Sequence, residues 1–203
     1  MQELIGDLML YREPRLDESL DVARLISVAG GGLYEFLFDD LVPFLSAIEF
    51  LAAGVASDSE PVSRRNCHVA VDARDGRIVG LANAFPAGLL RQDTYPLLPR
   101  RLEEHIRPML TLQDWDSMFL NALAVDGESR HLGIGGRLLD WALARARELG
   151  LPRLSLHVWA DNLAARAFYK ARGFVDVGIA DVASHPRLAH SGGSVLMSRP
   201  STA

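Results

Sequence analysis

The chain has 203 residues, 49% of them apolar, with a formal net charge of −5. That length buries a full core, so residues 1–203 are expected to form a single domain, and two independent enzymes would not fit. The acidic balance gives no basic footprint for neutralising phosphates, which excludes sequence-independent nucleic-acid binding; the one cysteine, Cys67, excludes an intramolecular disulfide or a Cys-rich metal cluster and suits a reducing cytoplasm.

Leu8 to Arg12 reads as a first strand, ended by Glu13-Pro14 because the residue before proline is pushed out of the helical region. From Asp17, apolar residues including Leu20, Ala23 and Ile26 recur at helical spacing until Gly30-Gly31-Gly32 stops the pattern. Leu33 to Val55 predicts two further helical pieces, with Pro43 expected in the first turn of the second. The most apolar stretch, Phe36 to Val55, is interrupted by Asp39, Asp40, Pro43 and Glu49, so it reads as buried helices and no membrane span is expected. The N-terminus has no basic leader before an apolar core, so cytoplasmic residence is the expectation.

Cys67 to Val71 and Arg77 to Ala84 are β-rich runs joined through Asp75-Gly76, a hairpin signal. The proline-rich segment Phe85 to Gln113, with one helix predicted over Arg100 to Leu110, is long for a compact domain and is expected to contribute a substrate wall. Met118 to Val125 is an apolar run with Asn121 inside it, bounded by Asp126-Gly127, and predicts a buried strand. Ile134, Leu138, Ala142 and Ala146 then mark an amphipathic helix over Gly133 to Glu148. A strand over Leu154 to Trp159, a short helix over Asn162 to Arg172 closed by Gly173, and strands over Phe174 to Ile179 and Val195 to Met197 complete the pattern. The order predicts an α/β fold with a mixed, mostly antiparallel central sheet of six or seven strands flanked by helices.

The most informative segment is the strand, turn, glycine loop and helix from Leu123 to Leu139. Glycines let an anion approach the backbone, and the first free N–H groups of a helix point outward with the positive end of its dipole behind them. Tight strand-to-helix packing also selects glycine, so the loop alone has a purely structural reading as well. Other phosphate folds fit poorly: no Gly-Lys-Ser/Thr ending is present, and a dinucleotide fingerprint would need glycine where Leu138 stands.

Arg130-x-x-Gly133-x-Gly135 resembles the pyrophosphate loop of the GCN5-related N-acetyltransferases, in which an arginine or glutamine precedes two spaced glycines. Downstream, Asn162-Leu-Ala-Ala-Arg-Ala-Phe168-Tyr169-Lys-Ala-Arg-Gly173-Phe174 resembles the family's second block. The resemblance covers Met118 to about Ile179 and implies acetyl-CoA as co-substrate, with no metal. It implies that Arg130, His131, Leu132, Gly133, Ile134, Gly135 and Gly136 hold its phosphates, that backbone groups of Leu123 and Val125 hold the pantetheine arm where two strands splay apart, and that Asn162 contacts that arm. His131 ranks below Arg130 as a side-chain contact.

The implied activity is acetyl transfer to a primary amine of a small molecule or peptide, by direct attack in a ternary complex. The alternative is a non-catalytic acyl-CoA-binding regulatory module. An attacking alkylamine, with a free pKa of roughly 10, must lose a proton, and the leaving sulfur must be stabilised. The resemblance gives the second role to Tyr169, although an aromatic at a helix end also suits core packing. For the base, relatives place Glu or His where this chain has Phe119 and Asn121; a relayed water, Asp116 and Glu35 are the candidates. Arg137 and Arg172 are weaker candidates for an outer phosphate, and Cys67 reads as inert core. A homodimer is an expectation by analogy alone.

Overall fold

A computed structural model describes residues 8–39, 41–59, 61–91 and 98–202. It contains seven strands, β1 (Met9–Arg12), β2 (Cys67–Asp72), β3 (Ile78–Pro86), β4 (Ser117–Val125), β5 (Arg153–Trp159), β6 (Val175–Ala180) and β7 (Ser194–Pro200). They form one sheet in the order β1-β2-β3-β4-β5-β7-β6. All neighbouring pairs are antiparallel except β4 with β5, as the mixed pattern predicted.

Helices cover both faces. Helix α1 (Ser19–Gly30), α2 (Leu33–Phe38), α3 (Ala47–Ala56) and α4 (Arg100–Thr111) pack on one face with Cys67, Val69 and Val71. The other face carries α5 (Ile134–Glu148) and α6 (Leu163–Lys170), packed on Ala70, Met118, Leu120 and Leu154. The period of two along β2 thus separates two cores, as a sheet buried on both faces requires.

Two local findings differ from the sequence expectation. Pro43 lies outside α3, which starts at Ala47 because Ser46 accepts from the Glu49 N–H while the Glu49 carboxylate takes the Ser46 N–H at 2.9 Å. Those reciprocal bonds satisfy two orphan donors, and the pattern Ser46-x-x-Glu49 was the signal for that start. The second finding is a bulge: Asn83 pairs with Ala122 but Ala84 with Leu120, leaving Asn121 as the extra residue of β4. Met118 and Leu120 therefore share a face with Leu123 and Val125, not with Ala122. The predicted loop from Phe85 becomes a 3-10 turn over Ala87–Arg91 and then α4; Pro96 falls outside the described residues.

Candidate active site

The two central strands part soon after they meet. β4 pairs with β5 only over Ser117–Phe119 against Arg153–Ser155, while β5 stays paired with β7 along its whole length. Beyond Phe119 the edge of β4 facing β5 is open. The Asp126 N–H bonds to the Val79 carbonyl on β3 at 2.8 Å, and antiparallel bonding alternates along a strand. The backbone groups of Val125 and Leu123 consequently point to the open side. One is already engaged, since Arg130 Nε donates to the Val125 carbonyl at 3.3 Å.

At the end of that edge the chain turns through Gly127–Ser129 and reaches α5 with His131 at φ 65° and Gly133 at φ 80°. Gly133 is the residue preceding the helix and needs the left-handed region, which glycine enters without strain. No side chain caps α5 and no acidic residue stands in its first turn, in contrast to the capped start of α3. The first N–H groups, those of Ile134, Gly135 and Gly136, are left to an outside acceptor, with the helix dipole favouring an anion. Gly135 faces Phe168 across the helix start: a Cβ there would stand 3.5 Å from the ring, an ordinary contact. Arg172 lies over the same ring, 3.7 Å from its centroid, and donates to the Phe168 carbonyl.

These elements enclose a cleft of about 840 Å³, within the size range of small-molecule sites. Leu123, Val125, Arg130, His131, Gly133, Ile134, Gly135, Gly136, Asn162 and Tyr169 line it; Leu132 does not. Arg172 lines it too, whereas Arg137 lies outside it, over the ring of Tyr11. The Asn162 side-chain oxygen accepts the Ala165 N–H at 3.1 Å and so caps α6, which leaves its amide N–H₂ as the group available to the cleft. Tyr169 is buried between Phe168 and Phe174, and its hydroxyl makes no hydrogen bond among the described residues. Burial alone pushes its phenol above the ordinary tyrosine range, so it stays protonated near neutral pH.

A second, apolar cavity of about 510 Å³ adjoins the cleft, and Leu33, Tyr34, Met109, Phe119, Asn121 and His157 line both. Sequence reasoning passed over Tyr34 and His157, which reach the site only through folding. The Tyr34 hydroxyl donates to Asn121 Oδ1 at 3.1 Å, and burial pushes its pKa up to about 12. Asn121 in turn donates to Asn83 Oδ1 at 2.9 Å. His157 Nε2 stands 2.8 Å from the Leu112 carbonyl, which requires the proton on Nε2, and Nδ1 then accepts from Ser194 at 3.0 Å. Burial lowers the His157 pKa, keeping the ring neutral. Neither Glu35 nor Asp116, the candidate bases, lines the cleft or the cavity; one Glu35 oxygen takes the Ser27 hydroxyl. Cys67 is buried and its thiol is pushed up to about 12, as inert core should be. Among the described residues no group of three His, Cys, Asp or Glu is placed to hold a metal ion, and no helix is long and apolar enough to cross a membrane.

Comparison with known proteins adds to this geometry. Residues 33–174 match the profile of the acetyltransferase (GNAT) family. The chain is 42% identical over 52 residues to the mycothiol acetyltransferase of Geodermatophilus obscurus, which is 26% of this chain and 17% of that protein. It is 26% identical over 197 residues to the chloroplastic GCN5-related N-acetyltransferase 4 of Arabidopsis thaliana, 88% of this chain and 65% of that protein. The match thus spans less than two thirds of either curated relative. Among solved structures, an N-acetyltransferase from Staphylococcus aureus Mu50 superimposes with a TM-score of 0.68 at 18% identity, covering 94% of this chain and 100% of that one. Another, described as an acetyltransferase, gives 0.64 at 24% identity over 94% and 98%.

Proposed function

The chain belongs to the GNAT acetyltransferase family, and from that premise we propose that it transfers an acetyl group from acetyl-CoA to a primary amine of a small molecule or peptide, by direct attack in a ternary complex. The observation that carries this reading is the joining, in one cleft, of an unpaired strand edge and an uncapped helix start. Coenzyme A needs both: its pyrophosphate suits the free N–H groups at the start of α5, and its amide-bearing arm suits the open edge of β4.

The loop Arg130 to Gly136 would hold the phosphates, with Arg172 beside it. Leu123 and Val125 would hold the arm by their backbone groups, helped by the Asn162 amide. When bound, acetyl-CoA supplies a thioester carbonyl for the amine to attack and a sulfur to leave. The new C–N bond replaces the C–S bond; the amine gives up one proton and the sulfur takes one up. Tyr169 is the donor to that sulfur, since burial keeps its phenol protonated and its hydroxyl is free of internal partners. Asn121, at the junction with the second cavity, is placed to orient the amine, beside the ring of His157, whose nitrogens are held by Leu112 and Ser194.

A second reading, a non-catalytic acyl-CoA-binding module, is favoured by Phe119 and Asn121, neither of which can take a proton where relatives carry Glu or His. It predicts binding without turnover on any amine.

Calorimetric titration with acetyl-CoA tests the proposal. Gly135→Asp adds an anion to the start of α5, where it suits the dipole but repels phosphate, and its Cβ meets only ordinary contacts. Binding that weakens at least about tenfold in this variant, with the melting temperature kept, supports the site. A folded wild type that does not bind acetyl-CoA overturns it.

A further inference from the structure

The second cavity is where the acceptor's body would lie, and its walls carry information about that body. Leu37, Phe38, Phe50, Phe85, Leu98 and Ile106, contributed by α2, α3, β3 and the segment through α4, give it a surface dominated by aliphatic and aromatic carbon. Its volume, at about 30 Å³ per water-sized unit, admits on the order of fifteen non-hydrogen atoms. Polar groups gather at the junction with the cleft, where Tyr34, Asn121 and His157 stand.

One further polar group stands in the cavity wall. Gln113 lines it and gives its amide N–H₂ to the Met109 carbonyl at 2.8 Å, while its Oε1 is buried and has no partner among the described residues. A buried acceptor without a donor costs about 1–3 kcal/mol. Ala53 is exposed yet also lines this cavity, so it opens to solvent at α3, away from the glycine loop that lines only the cleft.

Resting on the acetyltransferase reading, we propose that the acceptor is a small monoamine with an apolar aryl or alkyl body, entering beside Ala53 with its nitrogen at Asn121, whose Oδ1 keeps a lone pair beyond the one taken by Tyr34. The same walls help chemically. An ammonium loses hydration on entering an apolar cavity, so its pKa falls and the neutral, nucleophilic amine is favoured. This provides a route to the free amine without a carboxylate or histidine at Phe119 or Asn121. A long acyl chain on the cofactor would also fill apolar space, but it would bring no N–H to Asn121.

The test compares 4-phenylbutylamine with 1,6-diaminohexane and a lysine-containing tripeptide, by thiol release from acetyl-CoA. The expected result is a kcat/KM at least about tenfold higher for the aryl monoamine, since each buried carbon adds to discrimination. Ala53→Trp, at an exposed helix position, narrows the opening and should raise the KM for that amine about fivefold while leaving acetyl-CoA affinity unchanged; Ala53→Glu should reduce its preference over the diamine. Preference for the diamine or peptide overturns the inference, as does an unchanged KM in a folded Ala53→Trp protein. Bound acetyl-CoA with no turnover of any of the amines also overturns it, and so does octanoyl-CoA being used in preference to acetyl-CoA and blocking the amine. Failure to bind acetyl-CoA overturns the underlying reading instead.

Discussion

The side-chain amide of Asn121 donates to Oδ1 of Asn83 at 2.9 Å, tying the bulge of β4 to a residue with no solvent exposure. Asn83 also donates to the Asn66 carbonyl at 3.1 Å and to Cys67 Sγ at 3.3 Å, so one amide holds both the bulge and the approach to β2. Asn83→Ala leaves those groups buried and short of partners. The expected cost is about 2–4 kcal/mol, seen as a melting temperature lower by roughly 5–12 °C in calorimetry.

Tyr169→Phe separates chemistry from folding. Because the hydroxyl makes no hydrogen bond among the described residues, its removal should shift the melting temperature by less than about 2 °C. If the phenol protonates the leaving sulfur, kcat falls about 100-fold while acetyl-CoA affinity stays within about threefold. An unchanged kcat would return Tyr169 to a packing role.

The thiol of Cys67 makes stability sensitive to alkali. Burial first, against a smaller opposing bond from Asn83, pushes its pKa up to about 12 from an ordinary value near 9. Between those values the unfolded chain has lost a proton that the folded chain keeps. Stability is therefore whole below pH 9 and falls above it, by about 1.4 kcal/mol per pH unit for this group. In urea titrations, the loss between pH 8.5 and 10.5 should be about 2 kcal/mol smaller for Cys67→Ala than for the native chain.

Glu18 provides the opposite sign. Arg12 holds its carboxylate through two bonds, of 2.8 and 2.7 Å, and the Arg15 N–H adds a third at 2.7 Å, so its pKa lies below the ordinary value. Its contribution is present above pH 4.5 and lost as pH falls through the depressed folded value. Glu18→Gln should cost about 2–3 kcal/mol near pH 7, and the two proteins should converge in stability at strongly acidic pH.

What could be read from the chain was local. The Asp75-Gly76 hairpin, the helix running to Glu148 and the glycine loop each carry their signal within a few residues, and each appears where the pattern placed it. The bulge at Asn121 could not be read that way, because it is a property of register between β3 and β4. It is held by a bond between residues 38 apart in the chain. The apolar cavity is assembled from α2, α3, β3, α4, β4 and β5, and of these only the stretch from Phe85 to Gln113 stood out in the sequence, by its length, as a substrate wall; the others read as ordinary core. Tyr34 and His157 were passed over for the same reason: a tyrosine in a short helix and a histidine in an apolar strand acquire their place only when the fold brings both to the walls of one cavity. Pro43 was misplaced by weighing a proline signal above the Ser46 and Glu49 pair.

The parting of β4 from β5 has a consequence for handling the protein as a material. A strand edge whose N–H and C=O groups point into open space is a template on which another extended chain can pair, and sheets are usually guarded against it at their margins. Here such an edge lies in the middle of the sheet, where the run Leu120 to Val125 contains no charged residue or proline and Arg130 covers its end at the Val125 carbonyl. Its protection is positional: the edge opens as a wedge between two strands of one sheet that close on each other at Phe119 and Ser155. Protein stored without a ligand in that wedge carries an adhesive seam, and the molecule that fills it would also act as its shelf stabiliser.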